Sequence, residues 1–543
     1  MKNRTSPASF RIVICDELSP AAMEIFRERG FEPEVKVGLG EKDLVAIAPG
    51  VHAFVVRSAT KITRAVIEAA ADLRVVGRAG VGVDNVDSEA ATERGVVVMN
   101  TPTGNTVTTA ELAITLLTSL ARHVPRADRL VKQGKWTKKG LTGTEISGKT
   151  LGVVGLGRIG RVVADRGLGL KMNVVAHDPY LSADTGSGIA GVELVDLDTL
   201  LAQSDFVSLH VPFTESTRNL ISREKLALMK VGARLVNAAR GGLVDEAALL
   251  DALEKGRLAG AALDVFAEEP PAKDHPLLLR DDVIATPHLG ASSEEAQFQV
   301  AVDVAAQICE FLLEGVAHNA VNAPAVSAQA LREVAPYALS CEKLGSFLAQ
   351  VSDQPIRKLE LTIAGEISAQ DTRHLPLLLL ASVLRHQGID EGVNLVNAPV
   401  LARQRGLTLF ESREEHDAVF QSAVHVRATC EGGETHAASA AVFGRRQPRI
   451  VAFDGLELDL DPKGPVLITR HADQPGVVGL LGTVLGRHGV NIRRIELGPA
   501  TTAGTVAPGL ATGVLSLYEE PKESVLAELR GLEPVRTVRI VRL

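Results

Sequence analysis

The stretch Val153-Val154-Gly155-Leu156-Gly157-Arg158-Ile159-Gly160 constrains the fold of this chain more than any other. An apolar run opens at Leu151 ahead of it, and Ile159, Val162 and Val163 recur at helical spacing behind it, which predicts strand, tight turn and helix. Gly155 permits the sharp turn, Gly157 the approach of backbone to a pyrophosphate, and Gly160 the packing of helix on strand. Phosphates would then sit at the positive helix N-terminus. Such a pattern also arises in purely structural turns and is weak alone. The next apolar run, Asn173 to His177, ends in Asp178 about 20 residues on, where a carboxylate accepts from ribose hydroxyls. No arginine directly follows Asp178 to hold a 2′-phosphate, which favours NAD over NADP.

Apolar runs and helical patterns alternate on both sides of this unit. Before it come strands expected at Arg11 to Cys15, Ala53 to Val56, Leu73 to Val76 and Val96 to Met99, then a long helix from about Val107 to Arg122. After it, strands are expected at Phe206 to His210, Arg234 to Asn237 and Ala261 to Asp264, with helices at Ser222 to Met229 and Asp245 to Lys255. This is the pattern of doubly wound parallel sheets. The helix Glu294 to Gly315 carries the chain back to the first domain, because too few residues remain before the linker Asn319 to Pro324 for another core. A chain of 543 residues suggests roughly three or four domains.

Charge narrows the ligand classes. A net charge of −8 and a pI near 6.0 give no overall pull toward nucleic acid or an anionic membrane, so an anionic ligand must be held by local arginines and backbone amides. Two stretches offer such groups. Val55-Val56-Arg57-Ser58-Ala59-Thr60-Lys61 places an arginine, hydroxyls and a lysine just past a strand end, and Arg78 to Asp87 contains Gly80-Val81-Gly82, whose backbone N–H groups form a nest for a carboxylate. Alone, the first is also read as a capped helix start and the second as a tight turn. The cysteines Cys15, Cys309, Cys341 and Cys430 are far apart with no CxxC pair, so neither a disulfide framework nor a metal site is suggested. The N-terminus lacks a signal-peptide core, and the most apolar window, Leu375 to Leu384, is shorter than a membrane span. The expectation is a cytoplasmic protein. Trp136, the single tryptophan, is expected to be a packing residue.

Three later motifs carry chemistry: Asn237-Ala238-Ala239-Arg240-Gly241-Gly242-Leu243-Val244-Asp245, Asp264-Val265-Phe266-Ala267-Glu268-Glu269-Pro270 and Thr286-Pro287-His288-Leu289-Gly290-Ala291. Oxidising a 2-hydroxy acid needs a base for the hydroxyl proton as hydride leaves, and His288 is suited to it. Glu269 would hold the imidazole, and Arg240 would clamp the carboxylate and reacting oxygen. Singly, these could be a loop histidine, an acidic pair and a surface arginine. Together, at the ends of successive strands, they are hard to explain structurally.

With these motifs the chain resembles the D-isomer-specific 2-hydroxyacid dehydrogenases over essentially its full length. The stretches from Val55 to Lys61 and from Arg78 to Asp87, with the tail, are similar to that family's long branch acting on D-3-phosphoglycerate. The resemblance implies an NAD-dependent enzyme making 3-phosphohydroxypyruvate at the first step of L-serine synthesis, with Arg240, Glu269 and His288 catalytic. It implies substrate contacts at Arg57, Ser58, Asn105 and Arg240 and at the backbone of Gly80, Val81 and Gly82. For the cofactor it implicates Gly155, Gly157, Arg158, Ile159, Gly160, Asp178, Val211, Ala238, Arg240, Asp264, His288 and Gly290. Val81 stands where relatives often have threonine. Rival readings are a hydroxypyruvate or glyoxylate reductase on the same scaffold and an NAD-sensing binding protein.

The expected fold class is α/β, with two Rossmann or flavodoxin-like parallel-sheet domains, an α/β intervening domain and a C-terminal ferredoxin-like module. The expected boundaries are 1–105 with 287–322 for substrate binding, 106–286 for NAD, 323–460 for the intervening domain and 461–543 for the last. That last stretch alternates in the order βαββαβ. Its Asp473-Gln474-Pro475-Gly476 and Val490-Asn491-Ile492 resemble the ACT domain, which implies L-serine as effector at Asp473 and Asn491. His471 and a long loop from Pro499 to Ala511 depart from that pattern. A homo-oligomer, dimer or tetramer, is expected, with neither nucleic acid nor membrane as partner.

Overall fold

The computed structural model describes residues 7–181, 187–324, 328–388, 392–444, 446–502 and 505–543. Parallel strands Ile12–Ile14, Glu34–Val35, Ala53–Val56, Val75–Arg78 and Val97–Asn100 form a five-stranded sheet in the order second, first, third, fourth, fifth. Its strands are continuous apolar runs because both faces are covered. Alternate residues divide between two cores: Ile12, Ile14, Val55 and Val75 pack under helices Pro20–Glu28 and Glu294–Glu314, while Val13, Phe54, Val56 and Val76 pack under Glu41–Ile47, Arg64–Ala69 and Ser88–Glu93. Glu294–Glu314 is the one helix among the described residues long and apolar enough to cross a membrane. Here it returns the chain to the first sheet and lays Val300, Val304 and Ile308 on it.

The second sheet has seven parallel strands: Thr150–Val154, Asn173–His177, Val192–Leu194, Phe206–Leu209, Ala233–Asn237, Leu258–Leu263 and Val283–Ala285. Their order is seventh, sixth, fifth, fourth, first, second, third. The order reverses between Thr150–Val154 and Phe206–Leu209, and the glycine turn leaves the sheet at that switch point, where open α/β sheets bind ligands. The chain crosses between the two parallel sheets at the start of helix Thr106–Ala121 and again ahead of Glu294–Glu314. These crossings are tied together: Thr108 and Ser293 hydroxyls lie 3.0 Å apart, and Thr109 Oγ1 donates to Gly290 O at 2.6 Å.

A six-stranded third sheet joins Ile356–Gly365 to Thr408–Glu414 in parallel, then adds four antiparallel strands from Ser422 to Leu460, with helices Ala328–Val351 and Leu375–His386 against it. The fourth sheet is antiparallel, with Pro465–Ala472, Ile492–Thr502, Thr505–Leu517 and Val535–Arg542 in the order second, third, first, fourth, which is the ferredoxin-like arrangement. One of its faces carries helices Val477–Arg487 and Glu523–Arg530. The other sends Val466, Ile468, Val514 and Val541 into the core of the third sheet. Each such side chain is worth about 1.5–3 kcal/mol when buried, so the two units share one core and the tail is not a detachable appendage.

Two expectations fail. Trp136 is 88% exposed rather than packed, and the residues around it, 131–140, are all exposed. The stretch from Pro499 to Ala511 is no simple loop: strands Ile492–Thr502 and Thr505–Leu517 continue through it as a hairpin with Pro499 opposite Ala511.

Candidate active site

Between the two parallel sheets lies a cleft of about 280 Å³. The structure brings to it Arg57, Ser58, Val81, Gly82, Asn105, His288 and Gly290 from the first domain and the crossings, and Arg158, Ile159, Val211, Ala238 and Arg240 from the second. Asp473 and Asn491 lie elsewhere, at the ends of strands of the fourth sheet.

On the second-domain side, strand Thr150–Val154 runs into Gly155 at φ +92°, and helix Arg158–Gly169 starts three residues after it. A Cβ on Gly160 would lie 1.9 Å from Gly155 O, so only glycine lets the helix close on the turn. A Cβ on Gly157 would meet nothing within 4 Å, and no side chain caps the helix, so its first N–H groups face open space. Asp178 accepts from Leu156 N at 2.9 Å and Tyr180 N at 3.0 Å, which holds its carboxylate beside the turn. These features fit a bound dinucleotide with its pyrophosphate over Gly157 and its ribose near Asp178. His210, behind the turn, bonds Ser208 Oγ at 2.8 Å, and burial pushes its imidazole down to about 4, so it stands neutral against the cleft.

Arg240, Glu269 and His288 follow three adjacent strands, Ala233–Asn237, Leu258–Leu263 and Val283–Ala285. His288 Nδ1 lies 2.8 Å from Glu269 Oε2. Burial opposes ionisation of Glu269, but the hydrogen bond and charge of His288, the Phe266 N–H and Arg240 outweigh it and hold the carboxyl below its ordinary range. Nδ1 is therefore the proton-bearing nitrogen of neutral His288, leaving Nε2 to accept a proton. The His288 backbone has φ +56°, uncommon for a side-chain-bearing residue. Asp264 secures it: its carbonyl accepts from His288 N, and its carboxylate accepts from Leu289 N, Gly290 N and Thr286 Oγ1. Asp264 is 1% exposed, and burial raises its carboxyl despite these donors.

Arg240 reaches across the cleft, its Nε donating to Asp84 Oδ2 at 3.1 Å. A Cβ on Gly82 would fall 1.9 Å from Arg240 Nη2, so this glycine makes room for the guanidinium. The N–H groups of Val81 and Gly82 have no partner among the described residues, as a carboxylate nest requires. Arg57 stands on a loop fixed by Asp16, whose carboxylate accepts from Arg57 N, Thr60 N and Thr60 Oγ1, and by Asn85, which donates to the carbonyls of Arg57 and Thr60. Asn105 is 8% exposed, and its Oδ1 has no partner.

Arg78 and Asp84 were not singled out by sequence reasoning. Arg78 ends an otherwise apolar strand and lines the cleft. Burial, then the nearby charges of Arg240 and Arg57, push its guanidinium down to about 10, with Asp84 and Asp16 acting the other way. Its Nε is buried without a partner. The signal was a charged residue closing a buried strand directly before Gly80 and Gly82. The outcome is a cleft with three converging guanidiniums, Arg57, Arg78 and Arg240, one of them beside an imidazole–carboxylate pair. Such a site has the charge to hold a small polyanion and an imidazole placed to accept a proton beside it.

Residues 114–290 match the NAD binding domain of the D-isomer specific 2-hydroxyacid dehydrogenases, and residues 333–454 match the D-3-phosphoglycerate dehydrogenase intervening domain. The chain is 40% identical to D-3-phosphoglycerate dehydrogenase of Archaeoglobus fulgidus over 98% of its own length and 100% of the relative's. The Bacillus subtilis protein of the same name is 35% identical, with the same coverage of 98% and 100%. Among solved structures, a glyoxylate reductase from Paecilomyes thermophila superposes with a TM-score of 0.53 at 30% identity, over 58% of this chain and 98% of that one. D-Lactate dehydrogenase of Aquifex aeolicus, complexed with NAD and lactic acid, gives 0.50 at 26% identity over 58% and 99%.

Proposed function

Because the chain belongs to the D-isomer-specific 2-hydroxyacid dehydrogenases, and within them to the D-3-phosphoglycerate dehydrogenases, we propose that its cleft oxidises D-3-phosphoglycerate to 3-phosphohydroxypyruvate with NAD. This is the entry step of L-serine synthesis. The observation that carries the reading is the convergence of Arg240 and the His288–Glu269 pair with Arg57 and Arg78 in one cleft beside the glycine turn.

Bound NAD supplies the hydride acceptor. The chain supplies the rest. Arg240 and the free N–H groups of Val81 and Gly82 orient the carboxylate, and Arg57 with Arg78 takes the phosphate end. His288 Nε2 accepts the hydroxyl proton, and Glu269 stabilises the imidazolium that forms. Arg240 also steadies the charge growing on the reacting oxygen. The His288 side chain is 40% exposed, so closure of the two domains about the Thr108–Ser293 and Thr109–Gly290 ties is needed to exclude water.

In this reading residues 1–105 with 287–322 bind substrate, 106–286 bind NAD, 323–460 form the intervening domain and 461–543 regulate. The four sheets support that division. The last unit is read as an L-serine sensor of the ACT type on the strength of its strand order, with Asp473 and Asn491 as contacts. A homo-oligomer is supported by Val124, Val131 and Trp136, apolar side chains left exposed along one segment. A reducing cytoplasm is supported by the buried free thiols of Cys15, Cys309 and Cys341, each pushed up to about 12 by burial.

Arg57→Ala separates this reading from a hydroxypyruvate or glyoxylate reductase. Losing a charge-assisted contact of about 1.5–3 kcal/mol should raise KM for D-3-phosphoglycerate roughly tenfold to a hundredfold in steady-state assays and spare unphosphorylated acids. An unchanged KM would favour the reductase. Asp178→Ala should raise KM for NAD roughly tenfold, since it removes both the ribose acceptor and the anchor of Leu156 N. An unaltered KM for NAD would make the ribose assignment wrong.

A further inference from the structure

The loop that presents Glu269 is held from outside. Phe266 N donates to Glu269 Oε1 at 3.1 Å, but this bond lies within the loop and cannot fix it against the sheet. The external hold comes from Glu246, the first residue of helix Glu246–Glu254. Its Oε1 accepts from Ala267 N at 2.7 Å, and its Oε2 lies 3.2 Å from His275 Nε2. The His275 ring packs edge-on against Phe266 with centroids 5.7 Å apart. His275 Nδ1 is buried without a partner, so a proton there would have no acceptor. The proton of neutral His275 thus belongs on Nε2, pointing at Glu246. The same helix start follows the turn bearing Arg240, where a Cβ on Gly241 would fall 1.8 Å from Phe266 O. Glu246 therefore joins the end of one catalytic strand to the loop of the next.

We propose that Glu246, seated by His275, is a positioning residue that sets the Glu269 carboxylate against His288. The inference rests on the proposed oxidation, and wild-type turnover of D-3-phosphoglycerate is its control: without that turnover the functional reading itself fails. The side chain acts through reach rather than charge, because an acceptor must extend from the helix to Ala267 N. Glu246→Asp keeps the charge and the helix start but shortens the reach; Glu246→Gln keeps the reach and drops the charge. The full-length variants should differ accordingly. Glu246→Asp should lower kcat roughly tenfold, the scale of a small misplacement in a catalytic pair, with KM for NAD unmoved. Glu246→Gln should lose less, about threefold, since its Oε1 still accepts from Ala267 N while its amide nitrogen, facing His275 Nε2, gives up only the seat. In a Glu269→Gln background the Glu246→Asp penalty should vanish, because the group it positions is already disabled. Active wild type with an unchanged kcat in Glu246→Asp, a larger loss in Glu246→Gln than in Glu246→Asp, or full additivity with Glu269→Gln would each overturn the assignment.

Discussion

Replacing His288 by asparagine is expected to lower kcat for D-3-phosphoglycerate oxidation by roughly a hundredfold or more, the loss typical of a general base. Asparagine is the apt replacement because position 288 has φ +56°, a conformation asparagine tolerates. The hydrogen bonds from residue 288 N to Asp264 O and Thr286 O are backbone bonds and survive. Fold and NAD affinity should thus persist while the proton acceptor is lost. Steady-state kcat together with calorimetric NAD binding checks this. Turnover near the wild-type value would remove His288 from the role of base.

Arg240→Ala should lower kcat/KM by about a hundredfold to a thousandfold, the range found when a group stabilising developing oxyanion charge is removed. Little stability should be lost. The partner carboxylate Asp84 is 67% exposed, so the substitution strands no buried charge, and an exposed pair of this kind contributes about 0–1 kcal/mol. Arg240→Lys should recover only a small part of the activity, because an ammonium cannot reproduce a bidentate fork over a carboxylate. Kinetics of both variants beside their melting temperatures make the test. Equal loss of stability and activity would point to a structural arginine.

The parts legible in the sequence are those written in contiguous residues. The glycine turn, the buried strands and the motifs around Arg240, Glu269 and His288 are each local, and a parallel sheet delivers successive strand ends to the same edge, so their convergence follows from order alone. Arg78 was hidden because its role depends on Gly80 lacking a side chain, Arg78 itself packing where a Cβ on Gly80 would lie. The Glu246–His275 contact spans a separation of 29 residues and two loops, which no periodicity encodes. Trp136 stays outside the core because no apolar partners recur around it at helical or strand spacing. The hairpin from Pro499 to Ala511 was obscured by its glycines and prolines, which weaken a strand pattern without forbidding it at a sheet edge. The shared core of the third and fourth sheets was invisible for the same reason as the Glu246 contact. It also means that deleting the tail removes packing along with any effector response.

The central claim is that one cleft clamps both the carboxylate and the phosphate of its substrate while His288 removes the hydroxyl proton. The most direct measurement is NADH formation by the purified full-length chain with NAD and either D-3-phosphoglycerate or unphosphorylated D-glycerate. The account predicts that D-3-phosphoglycerate is oxidised with a kcat/KM at least roughly tenfold above that for D-glycerate, the advantage of one charge-assisted phosphate contact. Equal efficiency for the two acids, or no NADH from D-3-phosphoglycerate, would contradict it.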